Sequence, residues 1–578
     1  MIPREFPRIF SALGIALLFS LGASLASGDA LIAREPLLAK ILWCLAIGIL
    51  IWIGIAGQEP LKLKTQEVVA ITLIAFAALL TRLYRLSQGP PMLSGDEANF
   101  ARTALEFING TRTNIFNVGW FSFPSFYSFL QSFPLRFLPR EPYTIRLSSV
   151  LAGTLTVIST YLYAKLAFGK RVATASAVVL AFLGYHIHFS RLGWNNIWDG
   201  LFAVLLALLL SQAWRSNRPA AYVLPGIALG LAQYFYVGSR VFILLIPVWI
   251  LLMLKVDQIR ARFRIQGLAI LAISTTVVVL PLALFFVRHP LEFLAPMARI
   301  SLFGRWWTLQ TVHYGDPGWL VISEQVLKAL LGFVTVPLTS IYAGQPILNP
   351  PLAALFLIGL VVLIKQRKEP DSLWLGLWLL GVVMAVIFSD KPPAGQRYVL
   401  SSGAVAIVTA IGFNAVLSWI PRTVKNRTVI VKIFACLFLA SALWQTYHYF
   451  VIYPTRDALI DFNGLTVVEV ANSLQELEVQ KAYFFVSPRM ALASQEVIRF
   501  LTPTLSGEDI AHESHWQVEI PDPDEYAFVF LPERESALDT VRACIPRGAT
   551  HRITAPGGYL LSVIYIVDVH APTVCTGP

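Results

Sequence analysis

Gln266–Val287 reads QGLAILAISTTVVVLPLALFFV, 22 residues without one charged side chain. As a helix it rises about 33 Å at 1.5 Å per residue, enough for a hydrocarbon core about 30 Å thick. The run is continuous in apolar residues and does not alternate over ten-residue stretches, so a spanning helix is expected and not a strand of a membrane barrel. Runs of the same character lie at 10–27, 37–56, 66–85, 143–166, 172–189, 197–213, 221–237, 240–254, 350–365, 372–388, 398–419 and 428–450. The expectation is an all-α polytopic membrane protein with about thirteen transmembrane helices. Composition agrees: of 578 residues only 14% are charged and 56% are hydrophobic. Typical soluble domains carry roughly 25% charged residues, so disordered and ordinary soluble classes are excluded.

The net charge of +11 is explained by where the cations sit. Lys62 and Lys64, Lys170 and Arg171, Arg215 and Arg218, Lys255 to Arg264, Lys365 to Lys368, and Arg422 to Arg427 fall in short connections. These share one side if the spans alternate, together with Arg4 and Arg8. By the positive-inside rule that side is expected to be cytoplasmic, which puts the N-terminus there and the locale in the plasma (inner) membrane. The longer segments, 86–142 and 288–349, and the tail from 454 then face outward. A nucleic-acid partner is not implied, because the basic residues form no patch on a soluble face. Ser24-Leu25-Ala26-Ser27-Gly28 is somewhat like a signal-peptide cleavage site, but the next span follows at once and an uncleaved first helix is expected.

Three parts are expected: two N-terminal helices (1–65), a transmembrane catalytic part (66–453) and a small extracytoplasmic α/β domain (454–578). The tail is richer in charge and turns, including Ile520-Pro521-Asp522-Pro523-Asp524. Lys481–Val486, Tyr526–Leu531 and Tyr559–Val567 read as strands, and Asp461–Leu477 reads as a helix with Val467, Val470, Ala471 and Leu474 at helical spacing. Cys544 and Cys575 lie in it; a disulfide and two free thiols are both open readings.

Polar groups at membrane depth are costly, so they mark candidate function. Ser94-Gly95-Asp96-Glu97-Ala98-Asn99 opens the first long outer segment with two adjacent carboxylates. They can cap the helix that follows, or one can take a proton from an acceptor. His186-Ile187-His188 resembles a metal pair only weakly, since residues two apart do not share a helix face. Arg191, Arg240, Lys391 and Arg397 stand at outer span ends. Each is explicable as an interface cation, and together they suit an anionic ligand presented from the membrane. Trp306, Trp307, Tyr314 and Trp319 in 288–349 suit an interfacial belt, and Val321–Leu338 an interfacial or re-entrant helix. There is no Gly-x-x-x-x-Gly-Lys-Ser/Thr loop for ATP and no zinc spacing.

Gly95-Asp96-Glu97-Ala98 in the first large outer loop, Arg146-Leu147-Ser148-Ser149 leading to Gly153-Thr154, Phe189-Ser190-Arg191, Tyr236-Val237-Gly238-Ser239-Arg240 and Gln396-Arg397-Tyr398 carry a resemblance. Over roughly 66–450 the chain resembles the GT-C glycosyltransferases, family 39, the group of protein O-mannosyltransferases and aminoarabinose transferases. The resemblance implies an inverting transfer of a sugar from a polyprenyl-phosphate donor to a protein, lipid or glycan acceptor on the outer face. It implies Asp96 as general base, Glu97 in support, and Arg191, Arg240, Lys391, Arg397 and Tyr398 at the donor phosphate. The second acidic position of the family is filled here by Asn195 and Asn196; either Asn196 takes that role through hydrogen bonds, or Asp199 does, or the role is lost. Asn99 stands where aminoarabinose transferases often carry Arg. No cofactor is required by this chemistry; a divalent cation is compatible with it, and no metal ligand is assigned. The alternative is a transporter or flippase of lipid-linked sugars, which calls for half-repeats and broken helices at mid-membrane; here the polar residues gather on one face.

Overall fold

The computed structural model describes residues 6–577 apart from 91, 217, 256–260, 422, 456–460, 513–515, 521–523, 556 and 570–572. Arg4, Arg260, Arg422 and the turn 521–523, read above, lie outside the described residues. The chain forms two compact units. One contains Met1–Leu86, Glu106–Phe133 and Arg146–Thr455; the other contains Ser87–Leu105, Pro134–Ile145 and Arg456–Pro578.

The first unit is a helical membrane body. Among the described residues, ten helices are long and apolar enough to cross a membrane. Three of the thirteen expected spans are different. The run 172–189 is two helices, Lys170–Phe182 and Gly184–Phe189, broken at Leu183. The run 221–237 is a short helix, Pro219–Ala232, and 350–365 is a 16-residue helix, Pro350–Lys365. Several helix ends meet in pairs. At the basic end Lys165 pairs with Glu67 and Arg215 with Asp371, and Gln58 Nε2 donates to the Ala221 carbonyl at 3.0 Å. At the other end Arg288 pairs with Asp29 at 2.6 Å and Asn349 Nδ2 donates to the Ser441 carbonyl at 2.8 Å. The first two helices belong to this body: Ser20 Oγ donates to the Val277 carbonyl at 2.6 Å, and Trp43 Nε1 to that of Val278 at 2.9 Å.

The segment 288–349 holds the helices Pro290–Arg299, Arg305–Thr308 and Gly318–Leu331, and the helix expected over 321–338 ends at Leu331. Gly318–Leu331 buries Val321, Gln325 and Ala329 and exposes Trp319, Leu320, Ile322, Leu327 and Leu330. An apolar outward face of this kind belongs at a lipid boundary.

The second unit holds a five-stranded mixed sheet. Its strands are β1 (Lys481–Phe485), β2 (Ser506–Ile510), β4 (Asp524–Phe530), β5 (Gly548–Thr554) and β6 (Leu560–Val569), in the order β2-β1-β4-β6-β5. β3 (Gln517–Ile520) pairs separately with β7 (Thr573–Thr576). β1 runs parallel to β2 and β4, and β6 antiparallel to β4 and β5. Phe485, Phe528, Phe530, Val563 and Tyr565 form the core, and Arg534 donates to the carbonyls of Val486, Ile510, Ala511 and His512 at the strand ends. Cys544 and Cys575 are disulfide-bonded, with Cα atoms 5.9 Å apart. The helix Phe462–Glu476 is capped by Asp461, whose side chain accepts from Asn463 N at 3.1 Å. This unit also takes in 87–105 and 134–145, so the tail does not stand alone as 454–578.

Candidate functional site

The expected site residues divide between the two units, and each set is described by itself.

In the second unit, Gly95–Ile108 is a helix with Asp96 and Glu97 in its first turn. Ser94 and Glu97 form a capping box. Ser94 N donates to Glu97 Oε2 at 3.0 Å, and Glu97 N donates to Ser94 Oγ at 3.2 Å. Reciprocal bonds of this kind satisfy amides that a helix start leaves without carbonyl partners. Glu97 is therefore fully buried and committed to the helix start, while Asp96 beside it is exposed. Asn99 Nδ2 donates to the Gly95 carbonyl at 2.8 Å. One turn further on, Arg102 Nε lies 3.4 Å from Glu496 Oε2, which ties this helix to the helix Glu496–Leu501 of the tail.

In the first unit, Arg191 is only 1% exposed. Its Nη1 donates to the carbonyls of Thr81 (3.3 Å), Arg82 (2.9 Å) and Tyr84 (2.5 Å), and its Nη2 to that of Arg85 (3.1 Å). The guanidinium caps the C-terminus of the helix Thr65–Leu83 and lies over the Phe450 ring at 5.0 Å. Four backbone carbonyls thus hold the guanidinium that the resemblance places at the donor phosphate. Arg191→Lys is expected to cost about 2 kcal/mol, since an ammonium cannot span four carbonyls, and charged hydrogen bonds contribute roughly 1.5–3 kcal/mol each. A lowered thermal aggregation midpoint in detergent checks it. Gly153 serves the same packing: a Cβ there would stand 2.1 Å from Ser190 Oγ. Arg146 Nη1 donates to the Leu86 carbonyl at 3.2 Å.

Tyr398 is also held by the protein itself. Its ring is fully buried, edge-on to Phe333, and its hydroxyl donates to the Ala329 carbonyl at 2.9 Å. His186 and His188 are packing residues. His186 Nδ1 lies 2.8 Å from Arg82 Nη2, and His188 sits among Tyr342, Tyr449 and Tyr453. Among the described residues no group of three or more His, Cys, Asp and Glu is arranged to hold a metal ion.

The structure brings together Arg397, Tyr236 and Asp390. Arg397 Nη1 donates to Tyr236 Oη at 2.8 Å, and Nη2 lies 3.6 Å from Asp390 Oδ1. Tyr236 sits on the turn that Asp199 holds: Ser239 N donates to Asp199 Oδ2 at 3.0 Å, and a Cβ on Gly238 would stand 2.7 Å from the same oxygen. Asp199 thus braces a loop, and Asn195 Nδ2 adds a bond to the Phe235 carbonyl at 2.8 Å. Asn196 is buried at the start of the helix Asn196–Arg215. Arg240, on the same turn, lies over the Phe293 ring at 4.0 Å and donates to the Phe293 carbonyl at 2.8 Å. Lys391 is exposed, and its carbonyl accepts from Thr339 Oγ1 at 2.6 Å. The loop carrying Lys391 and Arg397 is fixed through its backbone, with Asp390 N on the Ile300 carbonyl at 2.8 Å and Thr339 N on that of Pro393 at 3.0 Å. Tyr236 and Asp390 were in view in the sequence, on the turn of Arg240 and beside Lys391, but no spacing rule joins them to Arg397.

Residues 124–285 match the family model described as dolichyl-phosphate-mannose-protein mannosyltransferase. That stretch holds Arg146, Arg191, Asp199, Tyr236 and Arg240; Asp96, Glu97, Lys391, Arg397 and Tyr398 lie outside it. No characterised protein sequence matches the chain. Among solved structures the chain is similar to ArnT from Cupriavidus metallidurans bound to undecaprenyl phosphate. The identity is 13%, the match covers 87% of this chain and 97% of that one, and the TM-score is 0.53. For ArnT in the apo state the identity is again 13%, the coverage 87% and 98%, and the TM-score 0.51. The archaeal oligosaccharyltransferase AglB from Archaeoglobus fulgidus, in complex with an inhibitory peptide and a dolichol-phosphate, is 13% identical. There the match covers 78% of this chain and 64% of that one, with a TM-score of 0.50. The chain is a multi-pass membrane protein with the GT-C fold of membrane glycosyltransferases, with a small sheet domain at its C-terminus.

Proposed function

We propose that the chain is an integral-membrane glycosyltransferase. It moves a sugar from a polyprenyl-phosphate donor to an acceptor on the membrane face opposite the basic loops. In this reading the N-terminus is cytoplasmic, the C-terminal domain extracytoplasmic, and the membrane the plasma membrane. The observation that carries the reading is the division of labour at residues 96 and 97. Glu97 closes the cap and is buried, while the Asp96 side chain is exposed in the same helical turn. A carboxylate at such a position can serve as a proton acceptor.

The acceptor O–H or N–H gives its proton to Asp96 as its heteroatom bonds to the anomeric carbon. The bond from that carbon to the phosphate oxygen breaks on the far side, and the phosphate leaves with the electron pair. A single displacement inverts the anomeric configuration. Charge grows on the leaving phosphate, so cations nearby lower the barrier. Arg397, Lys391 and Arg240 take that role here, with Tyr236 supplying the hydroxyl first assigned to Tyr398. No step is routed through a metal ion.

Arg397→Leu tests the donor side. Binding of a polyprenyl phosphate to purified protein in nanodiscs is expected to weaken about 10- to 100-fold, the loss of one charge-assisted pair at about 1.4 kcal/mol per tenfold. A transporter of lipid-linked sugars would carry intact donor across sealed vesicles instead, so the same protein in proteoliposomes separates the two readings.

A further inference from the structure

The cavity that the proposed reaction leaves unused lies at the basic end of the membrane body, between the helices Pro142–Phe168, Lys170–Phe182, Pro350–Lys365 and Ser402–Trp419. Its volume is about 640 Å³, within the range of about 300–1,000 Å³ typical of ligand sites. Two of its walls have the same design. On one, Ile358, Val361, Val362 and Lys365 follow one another at helical spacing; on the other, Ile411, Asn414, Ala415 and Ser418 do. Both sets are i, i+3, i+4, i+7, one stripe of each helix. Each stripe is apolar at its deep end and polar at its basic end, where Gln366 and Trp419 complete the rim. Below the cavity the two helices touch backbone to backbone: a Cβ on Gly359 would stand 2.0 Å from the Val408 carbonyl oxygen, and one on Gly412 1.9 Å from that of Leu355.

We propose that this cleft is a binding site for one anionic glycerophospholipid of the leaflet facing the basic loops, with an acyl chain along the apolar stripes and the headgroup phosphate at Lys365. Three observations select that occupant. Charge is complementary: Lys365 lines the cleft, no Asp or Glu does, and Lys170, Arg171, Arg367 and Lys368 flank it in the chain. Depth is compatible: the 16 residues of Pro350–Lys365 make about 24 Å of helix against about 30 Å of hydrocarbon, and the long Lys365 side chain at its end can snorkel the remaining few ångströms to the headgroups. Polarity is graded as a lipid is graded, with Asn414 and Ser418 able to meet a headgroup or ester oxygen and Trp419 at the interface. The site is independent of the transfer chemistry.

The test is native mass spectrometry of the full chain with dioleoyl-phosphatidylglycerol and dioleoyl-phosphatidylcholine. Wild type is expected to retain one phosphatidylglycerol in preference to phosphatidylcholine. Lys365→Gln should weaken the anionic lipid about fivefold and leave the zwitterionic one unchanged. Ile411→Trp, which fills the apolar part, should abolish retention of both. Equal retention of the two lipids by wild type, or a Lys365→Gln protein that still prefers phosphatidylglycerol as strongly, would overturn the proposal. So would full competition by sn-glycerol 3-phosphate, which would make the site a plain anion site.

Discussion

Asp96→Asn is expected to lower the rate of sugar transfer by about 10²- to 10⁴-fold, the usual contribution of a positioned general base. Asn has the same shape, so the helix start should survive, and donor binding should stay within about twofold. Glu97→Gln makes the opposite comparison. It keeps the reach to Ser94 but replaces a charged acceptor in a buried cap. Its cost should be mainly in stability, on the order of 1 kcal/mol, with a far smaller loss of rate. Initial rates and thermal midpoints of the two variants, measured on one donor, separate the roles. Equal rate losses would mean that the pair acts together and that the cap is not the whole role of Glu97.

Gly412→Leu is expected to abolish recovery of folded protein. The added Cβ alone would stand 1.9 Å from the Leu355 carbonyl oxygen and 2.9 Å from Gly359 N. Neither backbone can yield locally, so the helices Pro350–Lys365 and Ser402–Trp419 must separate by more than an ångström along their contact. Close approach through small residues is what holds such pairs in lipid, where no hydrophobic force between helices replaces it. A cost above about 4 kcal/mol is expected, in the class of large core disruptions. Gly48→Ala is the control: nothing lies within 4 Å of its Cβ, and it should be neutral or slightly stabilising. Monodisperse yield on size-exclusion chromatography distinguishes the two.

The membrane body was legible because a charge-free run of twenty residues has few alternatives to a spanning helix. The break at Leu183 was not, because the apolar run continues through it without Pro and hides where the helix restarts. In the tail, β1, β4 and β6 were readable from dense aromatic and β-branched runs. β2 and β5, SGEDI and GATHRIT, are edge strands with mostly exposed side chains and carry little periodic signal. The cations show the limit of reading depth from sequence. Arg191 and Arg397 look alike at span ends, but one closes on the carbonyls of residues 81–85 and the other on a tyrosine and a carboxylate. The carbonyls that Arg191 meets and the tyrosine that Arg397 meets each lie over a hundred residues away in the chain. The spacing Ser94-x-x-Glu97 already held the capping box that Glu97 closes.

The most direct test of the account uses wild-type protein in nanodiscs with a panel of polyprenyl phosphates bearing labelled sugars and an envelope extract as the source of acceptor. The account predicts that one donor is consumed, that polyprenyl phosphate appears mole for mole with glycosylated acceptor, and that the new linkage has the opposite anomeric configuration. Donors that bind and are returned uncleaved, with no label reaching any acceptor, would contradict it.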